Sequence, residues 1–178
     1  LVRGQTPAKL RAGLVGVGGR GRQAVNDLLT ADDRVEVVAM ADLFGNRLQS
    51  AHRALSEKYS AQMDVPPDRR FTGFDAYKKA IDVLRPGDVA MLTGYSGFRP
   101  GQLEYAVSKG VNVFMEKSFG PDAPSLRRVI KAGEEAAKKN LKIAAGLQCR
   151  HSVNRQELLK RIQDGQMGDI HLIRAYRM

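Results

Sequence analysis

Residues 12–21, Ala12-Gly13-Leu14-Val15-Gly16-Val17-Gly18-Gly19-Arg20-Gly21, carry an apolar run that reads as a first strand over Ala12 to Val17 and leads into a glycine-rich turn. Gly21 to Leu29 follows with Ala24, Val25, Leu28 and Leu29 spaced as one helix face, and Val35 to Ala41 reads as a second buried strand. Strand, glycine turn, helix and strand in about thirty residues form one βαβ unit. Working outward, strand-length stretches keep alternating with segments of helical period, the order of a parallel sheet.

The next segment, with Leu48, Ala51, Leu55 and Tyr59 at helical spacing, leads to a loop over Asp64 to Arg69 and a short strand at Arg70 to Thr72. Asp75 stands as the N-cap of a helix carrying Ala76, Tyr77, Ala80, Ile81 and Leu84, which Pro86-Gly87 ends. Val89 to Thr93 is a strand, Pro100 opens a helix that stops at Gly110, and Val111 to Met115 is the next strand. Asp122 and Pro124 start a long helix expected to turn Leu126, Val129, Ile130 and Ala137 inward, before a strand at Leu141 to Ala145. A further helix runs from about Val153 to Asp164, and Asp169 to Tyr176 alternates as a strand. A lone strand cannot satisfy its backbone or bury its face. Ile170 to Met178 is therefore expected to enter a second domain absent from the chain, or to dock on a partner.

The expected fold class is α/β, a doubly wound, mainly parallel Rossmann sheet with helices on both faces, plus the start of a second α/β domain. The expected division is an N-terminal extension at 1–9, a sheet domain at 10–148, and the start of a second domain at 149–178. A chain of 178 residues with 43% hydrophobic and 27% charged residues has room for one such core. Its mean hydropathy is −0.35, and no apolar run reaches membrane-spanning length. The single Cys149 excludes an intramolecular disulfide framework and a cysteine-built zinc site. His52, His151 and His171 show no metal-ligand spacing, so no metal is expected.

Gly16, Gly18 and Gly21 satisfy GxGxxG at a strand-to-helix junction, where the pattern carries chemistry. Gly16 permits the tight turn, Gly18 lets the backbone approach a pyrophosphate, and Gly21 lets the helix pack closely while its free N–H groups face the anion. Asp42 ends the second strand, where a carboxylate accepts hydrogen bonds from a ribose diol. An acid there repels a 2′-phosphate and favours NAD over NADP, although Arg47, five residues on, could reverse the preference by reaching back. Met115-Glu116-Lys117-Ser118 follows the fifth strand at the crevice end of the sheet, where Lys117 can meet substrate or cofactor and join a proton transfer.

These motifs, with Met-Ala-Asp at 40–42, Val-Phe-Met-Glu-Lys at 113–117, Phe98-Arg99-Pro100, Pro-Asp-Ala-Pro at 121–124, Gly146-Leu147-Gln148 and Arg150-His151, resemble the glucose-fructose oxidoreductase, inositol dehydrogenase and rhizopine-catabolism (Gfo/Idh/MocA) family over about Leu10 to Met178. The resemblance implies a Rossmann domain binding NAD or NADP and a second domain shaping a sugar pocket and an oligomer interface. Carried over, Gly16, Gly18, Gly19, Arg20 and Gly21 would line the pyrophosphate and Asp42 the adenosine ribose. Thr93 and Gly94 would sit beside the dinucleotide, Glu116 near the nicotinamide ribose and Lys117 in the active site. Arg150 and His151 are candidate substrate contacts. The chain departs from the family at Ser118 and Gly94, each where a proline is usual, and the family's downstream Asp and His fall beyond Met178.

The expected activity is hydride transfer between a nicotinamide cofactor and a hydroxyl carbon of a sugar, cyclitol or related polyol, in a homo-oligomer. A noncatalytic dinucleotide-binding or sugar-sensing protein is the alternative. The formal charge of +10 leaves nucleic acid as a third class, but no recognition-helix, zinc-finger or RNP-type pattern accompanies it, and neither nucleic acid nor membrane is expected as a partner. Localisation is expected to be cytoplasmic, or periplasmic by twin-arginine export if a leader was removed.

Overall fold

A computed structural model describes residues 9–176, so the expected N-terminal extension lies almost wholly outside the described residues. The chain divides into two compact units, with the boundary between Gly146 and Leu147.

In the first unit six parallel strands, β1 (Leu10–Val15), β2 (Val35–Asp42), β3 (Arg70–Thr72), β4 (Val89–Leu92), β5 (Asn112–Met115) and β6 (Ile143–Ala145), lie in the order β3-β2-β1-β4-β5-β6. The order reverses between β1 and β4, which places the switch point of a doubly wound sheet beside the glycine turn. The intervening helices are α1 (Gly19–Ala31), α2 (Gly45–Lys58), α3 (Ala76–Asp82), α4 (Arg99–Ser108) and α5 (Ala123–Lys138).

Alternation along the strands feeds two hydrophobic clusters. Ala12, Leu14, Val35, Val37 and Met40 meet Val25, Leu29, Leu48 and Leu55 of α1 and α2. Val15, Val38, Ala39 and Ala41 meet Ile81, Leu103, Ala132 and Ala136 of α3, α4 and α5. Val38 and Ala39, although adjacent, share a cluster because the register of β1 on β2 slips between Ala12 and Gly13.

The structure corrects several expectations. β1 ends at Val15, because Gly16 adopts φ +92° and turns the chain out of the ladder. Pro67–Arg69, inside the expected loop, is a 3₁₀ turn. The Asp75 carboxylate caps no backbone N–H and instead pairs with Lys78 at 2.8 Å, whereas Asp122 does cap α5, accepting from Ser125 N at 2.8 Å. The inward face of α5 is also different. Leu126 and Ile130 are 41% and 62% exposed and Ala137 is exposed, while Ala132 and Ala136 are buried. The stripe running through Arg128, Ala132, Ala136 and Lys139 meets α4: Arg128 pairs with Glu104 at 2.5 Å and Lys139 Nζ donates to Val107 O at 2.9 Å. Small residues let the two helices approach closely, and burying Leu126 and Ile130 instead would hold them apart.

The second unit contains a 3₁₀ turn (Gln148–His151) and α6 (Val153–Gln163). Asp169 to Tyr176 forms no strand, since none of the described residues pairs with it to supply a ladder. No helix of the described residues is long and apolar enough to cross a membrane.

Candidate functional site

The glycine turn is held in place by its neighbours. Gly16 N donates to Ala41 O at 2.8 Å, and the Thr93 hydroxyl donates to Gly16 O at 2.6 Å. A Cβ on Gly16 would lie 2.5 Å from Gly94 Cα, so the loops after β1 and β4 touch where neither carries a side chain. At Gly18 and Gly19 an added Cβ would meet nothing within 4 Å. Helix α1 starts there with no side-chain cap and no acid in its first turn, so its first N–H groups remain available to an anion.

Asp42, at the end of β2, accepts from Val17 N at 2.8 Å through Oδ2 and from Phe44 N at 3.0 Å through Oδ1. These two bonds aim the carboxylate across the mouth of the glycine turn. A cavity of about 390 Å³ opens beside it and gathers Gly16, Gly18, Asp42, Arg47, Thr93 and Gly94 of the expected cofactor residues. Gly18 and Arg47 also border a second cavity of about 460 Å³, which Gly19, Arg22, Asn46 and Ser50 line. Among the described residues neither Arg22 nor Arg47 is within ion-pair distance of a carboxylate; the Arg47 guanidinium lies 4.8 Å from the centre of the Phe44 ring.

The remaining expected residues are placed otherwise. Gly21 lies beneath the turn, where a Cβ would stand 2.7 Å from Thr93 Oγ1 and closer still to Gly16 O. The Arg20 side chain is not turned to the cavity; its Nε and Nη2 each reach Glu116 Oε1 at 2.8 Å, and Glu116 is buried. That carboxylate packs against Gly146, where an added Cβ would stand 2.6 Å from Glu116 Cδ. Lys117 is exposed at the end of β5, and the Lys117–Ser118 peptide is cis. Arg150 and His151 are exposed in the second unit, and among the described residues no three His, Cys, Asp or Glu side chains cluster to hold a metal.

Arg20→Ala would remove the side chain that hydrogen-bonds the buried Glu116 carboxylate. We expect a loss of about 2–3 kcal/mol in unfolding free energy, toward the low end for a broken buried pair because Arg20 is a third exposed. In urea titrations Arg20→Ala/Glu116→Gln should lose less than the sum of the two single variants. Additivity would show that the pair is not coupled.

Sequence reasoning missed Arg99, 1% exposed at the start of α4. Its guanidinium donates to Leu92 O at 2.8 Å, to Gly94 O at 2.6 Å and to Glu116 O, joining the ends of β4 and β5 to the loop that touches Gly16. Burial lowers the Arg99 pKa, and the nearby Glu116 charge opposes that shift. The signal available was a cation inside an otherwise apolar helix start, Phe98-Arg99-Pro100. Also missed were Phe74, Tyr95, Phe98 and Gln102, which line the first cavity.

A parallel sheet reversing at the glycine turn, with an acid ending the second strand, defines the Rossmann class of α/β fold. By sequence, the chain matches no family model and no curated protein. By structure, it is similar to myo-inositol 2-dehydrogenase from Lactobacillus plantarum at 24% identity and a TM-score of 0.73, over 90% of this chain and 43% of that one. It is likewise similar to scyllo-inositol dehydrogenase from Lactobacillus casei with bound cofactor NAD(H) and scyllo-inositol, at 20% identity and a TM-score of 0.68, over 90% and 43% of the two chains. The WlbA dehydrogenase from Bordetella pertussis in complex with NADH and UDP-GlcNAcA matches at 24% identity and a TM-score of 0.70, over 93% of this chain and 42% of that one. The chain thus spans less than half the length of these proteins. The fold that the sequence motifs imply is the fold observed.

Proposed function

We propose that the chain is the dinucleotide-binding part of a Gfo/Idh/MocA-type oxidoreductase that uses NAD and acts on a hydroxyl carbon of a sugar, cyclitol or related polyol. The observation that carries this reading is the single cavity that collects the open glycine turn, Asp42, Thr93 and Gly94 at the switch point of the sheet. Neighbours of the same fold crystallised with NAD(H) or NADH support it. The residues present fit a dinucleotide: Gly18 and Gly19 leave room for close approach, and Asp42 keeps lone pairs for a ribose diol. The nicotinamide, when bound, would supply the hydride chemistry.

The chain's own residues bind and orient. The N–H groups at the start of α1 receive the pyrophosphate, Asp42 fixes the ribose, and Thr93 and Gly94 form the wall toward the nicotinamide end. Lys117, exposed beyond β5, is the group we assign to hold and pass the proton of the substrate hydroxyl. Arg20 acts through Glu116 by pinning the end of β5 to the glycine turn.

Calorimetric titration of the whole chain with NAD and with NADP tests the reading. We expect NAD to bind at least tenfold more tightly than NADP, and Asp42→Ala to weaken NAD at least tenfold, about 1.4 kcal/mol. With the repelling carboxylate gone and Arg22 and Arg47 still lining the second cavity, the preference of Asp42→Ala should narrow to within about threefold. A folded sample that binds neither nucleotide would overturn the proposal.

A further inference from the structure

We infer that the outer groove between α2 and β3 binds a small phosphate ester, whose phosphate lies between Arg53 and Arg70. The groove has a volume of about 570 Å³ and is lined by Gln49, His52, Arg53, Ser56, Glu57 and Arg70, none of which lines either cavity at the glycine turn. On α2, Asn46, Arg47 and Ser50 border the second of those cavities, while Gln49, Arg53 and Ser56 recur at helical spacing along a different stripe. The inference therefore stands apart from the dinucleotide reading.

The groups of the groove are positioned by a shared main-chain acceptor. Val65 O accepts from Arg70 Nε at 2.8 Å and lies 3.1 Å from His52 Nε2. A carbonyl only accepts, so the imidazole carries a proton on Nε2 in that bond. Ser56 Oγ, 3.3 Å from the same nitrogen, then finds no lone pair there and keeps its hydroxyl proton for another acceptor. With Nε spent on the carbonyl, the two terminal nitrogens of Arg70 make no hydrogen bond to the described residues. Among the described residues neither Arg53 nor Arg70 is within ion-pair distance of a carboxylate, and the nearby Asp64 pairs instead with Arg69 at 3.2 Å.

Charge then selects the ligand. Burial and the Arg70 charge lower the His52 pKa, the mark of positive potential that no neighbour cancels. Glu57 is the one carboxylate of the lining; set against two guanidinium groups it leaves an excess of one positive charge, so a carboxylate ligand with a single charge gains little. A phosphate monoester carries about −1.5 to −2 at pH 7 and three acceptor oxygens, which two planar guanidinium forks can grip together. The space exceeds a phosphate group alone, and Gln49 and Glu57 offer an amide and a carboxylate to the hydroxyls of the esterified part.

The test follows the imidazole protons of His52 by NMR, assigned with His52→Gln, while the full chain is titrated with inorganic phosphate and with glycerol 3-phosphate at an ionic strength held constant with sodium chloride. A dianion beside the ring favours its charged form, so at saturation the His52 pKa should rise by about half a unit or more, with His151 and His171 unmoved. Glycerol 3-phosphate should bind about threefold more tightly than phosphate or better, and acetate at the same concentration should leave His52 in place. Arg53→Gln, at an exposed position, should weaken both phosphates about fivefold or more, and Arg70→Gln should do the same. A His52 signal that does not respond, that responds equally to acetate, or that responds undiminished in both variants would overturn the inference. So would loss of the response on adding NAD, which would place the phosphate at the glycine turn; failure of NAD to bind would leave the inference standing and remove only the cofactor reading.

Discussion

Replacing Arg99 by methionine is expected to lower the unfolding free energy by about 4 kcal/mol and the midpoint of thermal unfolding by about 10 °C. The guanidinium donates to three main-chain carbonyls, Leu92 O, Gly94 O and Glu116 O. Leu92 O also accepts from Glu116 N at 2.9 Å and keeps that partner after the change. Gly94 O and Glu116 O would lose a charge-assisted bond each, at about 1–3 kcal/mol for each buried acceptor left unpaired. Relief from burying the cation offsets part of this, since a buried charge is itself costly. The loss should also reach the ligand, because Gly94 forms a wall of the cavity and touches Gly16. NADH affinity, measured at a temperature where the variant is folded, should fall at least tenfold. Arg99→Lys retains the charge but lacks the planar fork, and should recover only part of both losses. Unchanged stability in Arg99→Met would show that the three carbonyls are satisfied without it.

Gly21→Ala should be about as damaging, at 3–5 kcal/mol. The new Cβ would overlap the main-chain oxygen of Gly16 and stand 2.7 Å from Thr93 Oγ1. Neither obstacle is the free end of a flexible side chain. Gly16 O accepts the Thr93 hydroxyl at 2.6 Å, and Gly16 N is bonded to β2. Relief therefore requires α1 to move off the sheet, which opens the cluster that buries Val25 and Leu29. Gly19→Ala is the control, since a Cβ there meets nothing within 4 Å; it should change stability by less than about 1 kcal/mol. Circular dichroism melts of the two variants separate overlap in the folded state from a general effect of removing a glycine. Equal melting temperatures would contradict the packing described for Gly21.

Several parts of this arrangement were legible because short-range rules decide them. Apolar runs of strand length located five of the six strands to within about two residues at each end, the turn-rich stretch before Arg70 marked the start of β3, and the glycine turn with Asp42 marked the switch point. The strand end at Val15 was misplaced because Gly16 and Val17 continue the apolar pattern; only the positive φ of Gly16 takes them out of the ladder. The face of α5 was misread because Leu126 and Ile130 form the larger apolar stripe. Periodicity finds a stripe but cannot say whether close helix approach favours the alanines beside it.

Arg20 and Glu116, 96 residues apart, show a different limit. Each was assigned to a ligand as a separate motif, and the sheet order brings the two side chains together. Arg99 and Gln102 are polar residues in a helix whose inward positions are otherwise apolar, and no spacing rule announces a buried cation bound to three carbonyls or an amide facing a cavity.

The sequence by itself determined the alternation of strands and helices, the turn at Gly16, Gly18 and Gly21, and the acid at the end of β2. Turn chemistry, capping and hydrophobic period act over a few neighbouring residues, so they can be read along the chain. Only the tertiary structure decided that Arg20 meets Glu116, that Arg99 holds the ends of β4 and β5, that α5 turns its alanines inward and that Gln102 borders the cavity. These depend on which strand ends lie side by side, and that neighbourhood exists only once the sheet has formed.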